Sequence, residues 1–528
     1  MDQTDRAISA ADAQGLAAEL QERLIEVRAE ARASAAVTLE GWQPALAGSA
    51  FAASAENLAL FLALRRIDLT AEQGALARLG LSSLGRSESH MLATLDAVIA
   101  ALDAMAGGGP LAGPLPPPVD ATRAVIEARR DALFGSEPTG RSARILVTLP
   151  SEAATAPELI TELIAAGANA VRINCAHDGP EAWAAMIAFA RDAAAAAGRR
   201  VPVLMDLGGP KVRTTTVSVP PIFLAREKKK KLKALARDGI APETRGPRLM
   251  KGDRLMLTRA PTGAEVERVE ITLSHPNLID ALRPGAIVHF DDGKLGARVL
   301  EVAEGRAELQ VTEARAKGAR LAPEKGVNLP GVDIDIPALT EADLAALDFA
   351  VGRADLIGYS FVQTVRDVRA LQDAIAERLP AGAQSPAIVL KVETDLALRN
   401  LPRLIVQAGA RGPVAVMIAR GDLAVEIGLE RLAEIQEEIL WLCEAAEVPA
   451  IWATQVLEGL AKEGFASRAE ATDAAMSQRA ECVMLNKGPY AAQAVGFLDR
   501  VLRRMDRHQA KKTPRLAPLK AWAAPQAL

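Results

Sequence analysis

VAVMIARGDLAVEIGLERLAEIQEEILWLCEAAEVPAIWAT, residues 414–454, is the stretch whose reading decides the fold. It opens on a short apolar run, VAVMIAR (414–420), passes through the helix-period pattern ERLAEIQEEILWLCEAA, and ends on a second apolar run, AIWAT (450–454). Runs of this length, bounded by turn residues, read as buried strands. Two such runs joined by a helix read as a parallel pair with a helical crossover. Working outward, the same texture recurs in ARILVTL (143–149), AVRINC (170–175), VPVLMD (201–206), ADLIGYS (354–360), AIVLKVE (387–393) and CVMLN (482–486), most of them followed by a helical pattern such as PELITELIAAG. Eight β-α units in series are the signature of a closed parallel barrel.

The third unit is interrupted. After Asp206 a long stretch of different character intervenes before barrel texture returns near Pro337. There GDRLMLT, VERVEITL, AIVHFDD, LGARVLEV and AELQVTEA alternate with turn signals such as APTG and EGR, an all-β pattern. The insertion leaves the barrel where the third strand ends, on the face that is catalytic in such barrels, so it is placed as a lid. Its basic run REKKKKLKALARD (226–238) reads either as a solvated helical excursion or as a polyanion site. The front of the chain reads as helices: Leu16, Leu20, Leu24 and Val27 fall on one stripe, and AENLALFLALRR and HMLATLDAVIAALDAMA share the period. The cluster GGGPLAGPLPPP (107–118) reads as a connection. The expected division is 1–118 helical region and linker, 119–214 first part of the barrel, 215–325 lid, 326–510 second part of the barrel, and 511–528 tail.

Composition excludes several classes. With 528 residues, 50% hydrophobic and 24% charged, the chain can bury several units' worth of core. A formal net charge of -4 argues against a partner held by bulk charge, and 3% aromatics are too few for stacking on single strands, so no nucleic-acid partner is expected. Cys175, Cys443 and Cys482 lie far apart with no CxxC or Cys/His spacing, which argues against zinc and fits a reducing compartment. The polar, acid-bearing start and the shortness of the apolar stretch Leu58–Leu64 lead us to expect a cytoplasmic protein with no membrane span.

In a parallel barrel the functional side chains stand at the C-terminal ends of the strands. Strand ends here offer Arg172, Asn174 and His177; Asp206, Lys211 and Arg213; Lys391 and Glu393; Arg420, Gly421 and Asp422; Thr454 and Gln455. Lys391 and Glu393 are two apart and share a face. A lysine facing a barrel interior is costly unless paired or used on an anion. Glu393 and Asp422 on neighbouring strands suit a hard divalent cation, Mg²⁺ first, which keeps waters and shares phosphate oxygens. Arg172 and Arg213 have fork geometry for phosphate. Free N–H groups where a helix begins at Gly421 and Asp422 favour an anion such as a carboxylate. Taken singly, a pair such as Lys391–Glu393 is more often a structural salt bridge than a site, and Asp422 alone is equally an N-cap; together the set describes a site for a phosphorylated carboxylic acid with a metal, hence phosphoryl or enolate chemistry.

These residues sit in VRINCAHD (171–178), MDLGGPKVRT (205–214), HFDDGKLGARVLEV (289–302), EKGVNLPGVDIDIPALTEADLAALDFAV (324–351), SFVQTVRDV (360–368), IVLKVET (388–394), VMIARGDLAVEIG (416–428), ATQVLEGL (453–460) and SRAEATDAA (467–475). In content and order they resemble the motifs of the pyruvate kinase family over residues 141–500. The resemblance implies an α/β fold, a (β/α)8 TIM barrel with an inserted all-β lid domain; the N-terminal helical region read from the periodicity above is one that common members lack. It implies a glycolytic phosphotransferase that moves the phosphoryl group of phosphoenolpyruvate to ADP, giving pyruvate and ATP, with Mg²⁺ or Mn²⁺. Carried over, Lys391 neutralises the transferring phosphoryl group and the enolate; Glu393 and Asp422 hold the metal; Arg172 grips the phosphate. Gly421, Asp422 and Thr454 hold the carboxylate, with Thr454 near the carbon that is protonated. Asn174, His177, Arg213 and Lys325 contact the nucleotide phosphates. A homo-oligomer is expected.

The sequence departs from the family pattern at Ala176 (Ser in the family), at Leu207 and Gly208 (Thr-Lys), at Lys211 (Glu in G-P-E-I-R), and at Asn486–Pro489 (S-G-E-T). The first three positions belong to or adjoin the monovalent-cation site. In the family a Glu at the position of Lys211 accompanies K⁺ dependence and a Lys accompanies independence, so K⁺ is expected not to be required. The family's C-terminal regulatory domain is not expected after the tail. Two alternatives stay open: a non-catalytic barrel that senses phosphoenolpyruvate or nucleotide, motivated by the departures, and a metal-dependent lyase or aldolase, which would need neither Lys325 nor Arg213.

Overall fold

The structure, a computed structural model, describes residues 9–111, 119–136, 138, 140–220, 246–262, 266–332, 336–511 and 513–514. The basic run 226–238 and most of the Gly/Pro connection lie outside the described residues, as does nearly all of the tail. In chain order the strands are β1 (Arg144–Thr148), β2 (Ala170–Asn174) and β3 (Val203–Asp206), then β4 (Thr214–Ser218), β5 (Arg248–Leu249), β6 (Arg254–Thr258), β7 (Val269–Leu273), β8 (Ile287–Phe290), β9 (Leu295–Ala303), β10 (Arg306–Ala314), β11 (Ala319–Arg320) and β12 (Val327–Asn328). They continue as β13 (Leu356–Tyr359), β14 (Ala387–Val392), β15 (Val414–Ala419), β16 (Ala450–Ala453) and β17 (Cys482–Leu485).

The eight expected runs close into one parallel barrel in the order β1-β17-β16-β15-β14-β13-β3-β2. Side chains alternate along each strand. Leu146, Ala170, Leu204, Leu356, Val389, Met417, Ile451 and Met484 face one another inside the cylinder, while Ile145, Val171, Ile388 and Val416 pack outward against the surrounding helices. The inner cluster also holds Leu133 and Phe134, the last residues of the helix Val119–Phe134, which plug the N-terminal end of the barrel. The interior is therefore a packed core closed at its lower end by the plug, and the C-terminal strand ends form the opposite rim.

The insertion forms a seven-stranded sheet ordered β12-β8-β9-β10-β6-β7-β4 around its own core of Leu255, Leu257, Ile271, Phe290, Val299 and Leu309. The expected strands GDRLMLT, VERVEITL, AIVHFDD, LGARVLEV and AELQVTEA become β6 to β10. The crossing points are an isolated bridge between Arg213 and Gly326 and the hydrogen bond from Thr214 N to Lys325 O, 2.9 Å.

The helical front is led by a 37-residue helix, Ala10–Leu46, whose Leu20, Leu24 and Val27 are buried. It packs beside the helices Ala52–Leu64 and Met91–Ala106. The segment Glu88–Ala106 is long and apolar enough to cross a membrane by length and composition alone. Here it lies along the first helix, with Arg28 on Asp96 at 2.8 Å and Gln21 on Asp103 at 2.8 Å. The module docks on the side of the barrel. Phe51 sits over Gly409, Arg65 stacks on Trp441 at 5.0 Å, Ser54 reaches Glu447 at 2.7 Å, and Asn57 donates to the Ala445 carbonyl at 2.8 Å.

Candidate active site

The alternation that fills the barrel also builds its mouth. Thr148 on β1, Arg172 on β2, Asp206 on β3 and Lys391 on β14 continue the inward-facing series one step above the apolar layer. Asp206 is 1% exposed and ties them together: Arg172 donates to its Oδ2 through Nε at 2.7 Å, and Lys391 Nζ lies 3.3 Å from the same oxygen. Lys391 also lies 3.2 Å from Glu393 Oε1 and donates to Ser360 Oγ at 2.5 Å. Arg172 donates to Thr148 Oγ1 at 3.0 Å. Glu393 accepts the Phe361 N–H at 2.6 Å. Phe361 adopts a left-handed conformation, φ 55°, just where β13 ends and the carboxylate needs a donor.

A second cluster adjoins the first. Lys211, on the segment leading from β3 to the lid, lies 2.8 Å from Asp422 and 3.4 Å from Asp292 of the lid. Gly421 N–H donates to Thr454 Oγ1 at 2.8 Å. The turn after β16 is strained: Thr454, Gln455 and Leu457 all have positive φ, 63°, 57° and 48°. Such conformations cost about 1–3 kcal/mol each in non-glycine residues and persist where the surroundings impose them.

Burial of charge is met by opposite charge. Burial would push the Lys391 ammonium down, but Asp206 and Glu393 outweigh it and keep its pKa above the usual lysine value. Asp206 stays below the usual carboxylate range: burial opposes ionisation, and Lys391 and Arg172 overcome it. Lys211 is raised as well, Asp422 outweighing its burial. Glu393 moves the other way. Its burial raises it, Lys391 pulls it down, and the Asp422 charge adds to the rise. Two carboxylates that feel each other in a buried cleft are relieved by a cation. Among the described residues no group of three or more His, Cys, Asp or Glu converges. Two carboxylates are the ligand number of a Mg²⁺ that keeps waters and shares substrate phosphate, so the residues present fit one.

The remaining candidates are more dispersed. Asn174 ends β2 and accepts the Ala176 N–H at 3.1 Å, and His177 is exposed just beyond. Arg213 donates to the Glu324 carbonyl at 3.0 Å, and Lys325 pairs with Asp291 of the lid at 3.2 Å. No hydrogen bond or ion pair among the described residues joins these four to Lys391 or Glu393. The sequence reading missed three groups: Asp206 as the hub, Ser360, and Thr148. The signal for Asp206 was its place at a strand end on the inward parity. The signal for Ser360 was the same parity, continued two residues past Gly358.

A polyprotic anion brought to this mouth meets an ammonium, a guanidinium and two carboxylates that fit a metal, at the open end of a filled cylinder. Against known families, the pyruvate kinase barrel domain matches residues 140–236 and 236–495. The chain belongs to the pyruvate kinase family. It is 32% identical over 374 residues to the pyruvate kinase of Methylorubrum extorquens, a match covering 70% of this chain and 69% of that one. It is 30% identical over 374 residues to pyruvate kinase 1 of Trypanosoma brucei brucei, covering 68% and 66%, and 28% identical over 373 residues to the pyruvate kinase of Bacillus licheniformis, covering 69% and 57%. The family match begins at residue 140, so the helical front of this pyruvate kinase family member lies outside it.

Proposed function

We propose that the protein transfers the phosphoryl group of phosphoenolpyruvate to ADP and protonates the resulting enolate to pyruvate, with Mg²⁺ or Mn²⁺ and without a requirement for K⁺. The observation that carries the reading is the Lys391 ammonium, buried at the mouth between Asp206 and Glu393 with Arg172 on the same carboxylate. In phosphoryl transfer the protein's work is positioning and charge neutralisation. Arg172 grips the phosphate of phosphoenolpyruvate. Lys391 faces the transferring group and the enolate oxygen left when the P–O bond breaks. Glu393 and Asp422 would hold the divalent cation, which supplies charge neutralisation and a template for phosphate oxygens. The backbone at Gly421 and Asp422 receives the carboxylate. The Thr454 hydroxyl lies beside Gly421, near the carbon that takes the proton. Asn174, His177, Arg213 and Lys325 face the nucleotide, the last two carried at the roots of the lid, whose closure excludes competing water.

Independence from K⁺ rests on Lys211. Its ammonium places a fixed positive charge 2.8 Å from Asp422, where a monovalent cation would otherwise serve, while Ala176, Leu207 and Gly208 carry no side-chain oxygen. The experiment is a coupled pyruvate assay with phosphoenolpyruvate and a nucleotide panel, comparing wild type with Lys391→Met, first in buffer free of Na⁺ and K⁺ and then with K⁺ added. Expected is ADP-dependent pyruvate formation, lost by at least about a thousandfold in the variant and changed less than twofold by K⁺. Pyruvate formation without ADP would favour a lyase, absence of turnover would favour a sensor, and strong activation by K⁺ would remove the role of Lys211.

A further inference from the structure

Arg420 stands at a strand end beside the site and contacts none of the groups just described except through the backbone. Its guanidinium is directed across to the end of β16. Nε donates to the Ala453 carbonyl at 2.9 Å and Nη2 to the Thr454 carbonyl at 2.7 Å. The other side of the fork is bidentate to Asp473, on the helix Arg468–Met476, with Nη2 at 2.9 Å and Nη1 completing the pair. The plane lies 4.6 Å over the Trp452 ring, whose Nε1 also reaches Asp473 at 3.3 Å. Four of the five guanidinium N–H groups are thus committed to two carbonyls and a carboxylate, and the side chain is only 11% exposed. Arg420 is not free to bind an anion.

The two carbonyls that it holds belong to the last residue of β16 and to the first of three residues with positive φ. Thr454 is β-branched, and a left-handed conformation is a genuine outlier for such a residue. Something must over-determine it. The next residue along from Arg420 is Gly421, whose N–H donates to Thr454 Oγ1. Adjacent residues therefore grip both ends of Thr454: the Arg420 side chain takes its backbone carbonyl and the Gly421 backbone takes its hydroxyl oxygen. No described residue accepts the Thr454 hydroxyl proton.

We propose that Arg420 is a positioning residue for enolate protonation: it clamps the strained end of β16 so that the Thr454 hydroxyl is presented to the reacting carbon. The inference rests on the reading of Thr454 given above. The step balances with one solvent proton: the hydroxyl gives its proton to the methylene carbon as the enolate C=C becomes a C–C bond and the enolate oxygen becomes the ketone, and the oxygen of Thr454 takes a proton back from water. Phosphoryl transfer itself, which depends on Lys391, Arg172 and the metal-binding acids, is not routed through Arg420. A lysine cannot replace it, because an ammonium lacks the planar fork that spans two carbonyls and a carboxylate.

The test uses the full chain and reads the proton step alone: incorporation of deuterium from D2O into the methyl group of pyruvate, with Mg²⁺ and ATP, followed by proton NMR. Arg420→Gln and Thr454→Val should each slow exchange at least about tenfold, the double variant should be no slower than the slower single one, and Arg420→Lys should not recover the rate. Affinity for Mn²⁺, read by EPR titration, should stay within about threefold of wild type, a result that general disruption of the mouth would not give. If Thr454→Val is slow while Arg420→Gln exchanges like wild type, the clamp is refuted and the role of Thr454 stands. If Thr454→Val itself exchanges normally, both fail. Multiplicative slowing in the double variant also overturns the clamp. Should Arg420→Gln fail to fold by circular dichroism, Asp473→Asn, which removes the carboxylate partner, is held to the same criteria.

Discussion

Gly358 shows how closely the mouth is set by single atoms. A Cβ at this position would lie 2.4 Å from Asp206 Oδ1 and 3.2 Å from its Cα, on neighbouring strands paired Gly358 to Asp206. The carboxylate that joins Lys391 to Arg172 is in place because β13 carries no side chain there. Gly358→Ala should push Asp206 aside and release both cations: turnover is expected to fall at least about tenfold and stability by about 1–3 kcal/mol, read by steady-state kinetics and urea denaturation. Unchanged turnover would remove Asp206 from the site. Much of this cluster could be read without coordinates. Lys391 and Glu393 two apart on one run, and Arg172 and Asn174 on another, declare a common face through strand parity alone. What parity does not carry is distance around the cylinder. Asp206 was visible as a strand end, but that it touches Lys391, two barrel strands away with only β13 between them, depends on the absent side chain at Gly358 of that intervening strand. The clamp at Arg420 was hidden for a different reason: ARGDL draws attention to Asp422, and nothing local says that the arginine turns toward β16 rather than toward the substrate. Of the dispersed residues, Asn174, His177 and Arg213 were visible near strand ends, whereas Lys325 and the nucleotide-facing role of all four came from the resemblance.

At the scale of elements, the seam between lid and barrel carries a pH dependence. Glu426 lies on the helix Arg420–Ile427, which packs against β12, and its carboxylate faces Asn328 of that strand. Burial raises its pKa to about 7, the polar Asn328 side chain opposing and the charges of Asp422 and Asp395 adding. Its folded value is above its unfolded one, so the folded state keeps the proton where the unfolded chain has lost it. The group's stabilisation is complete below about pH 4.5 and is lost as pH rises through about 7, by up to about 3 kcal/mol. Glu426→Gln should abolish that slope: relative to wild type it gains stability from pH 5 to pH 8, measured by urea denaturation at both, and a parallel pair of curves would show Glu426 to be ordinary. Another element is set by a capping box. Thr364 Oγ1 accepts the Asp367 N–H at 3.3 Å, while the Asp367 carboxylate takes the N–H groups of Gln363 at 3.1 Å and Thr364 at 2.8 Å, at the start of the helix Val365–Arg378. This box closes the loop that offers Ser360 to Lys391 and the Phe361 N–H to Glu393. Asp367→Ala should cost about 1–2 kcal/mol by denaturation and loosen that loop. Strands and helices themselves were legible, because eight short apolar runs with helical spacers admit few topologies. The plug was not: the pattern of the helix Val119–Phe134 marks an apolar face but cannot say that Leu133 and Phe134 enter the bottom of the barrel.

For the whole molecule, the helical front and the barrel share one continuous core. Leu24, Leu58, Phe61 and Leu102 of the front belong to the same packed cluster as Leu404, Ile439 and Trp452 around the barrel. The contacts fall on the side and lower end of the cylinder: Gly409 precedes β15, and the chain from Ala445 to Glu447 precedes β16, both at strand starts rather than strand ends. The mouth with Lys391 and Glu393 lies at the opposite end. Two consequences follow from that placement and separate cleanly. Removing residues 1–106, with the plug helix kept, uncovers Gly409, Trp441 and the strip around Ala445, and forfeits roughly 1.5–3 kcal/mol for each large apolar side chain that loses its cover. The melting temperature should fall by at least about 5 °C and binding of a hydrophobic dye should rise. Turnover of the surviving folded fraction, measured well below that temperature, should stay within about threefold, because the contacts of the front given above, among the described residues, fall at strand starts and not at the strand ends or the lid roots. An unchanged melting temperature would make the module a passenger. A collapse of turnover in protein that remains folded would instead couple it to the mouth through the barrel wall, with the helices Asp395–Arg411 and Leu429–Ala445 as the connecting elements, since each leads from or toward a strand that carries a site residue.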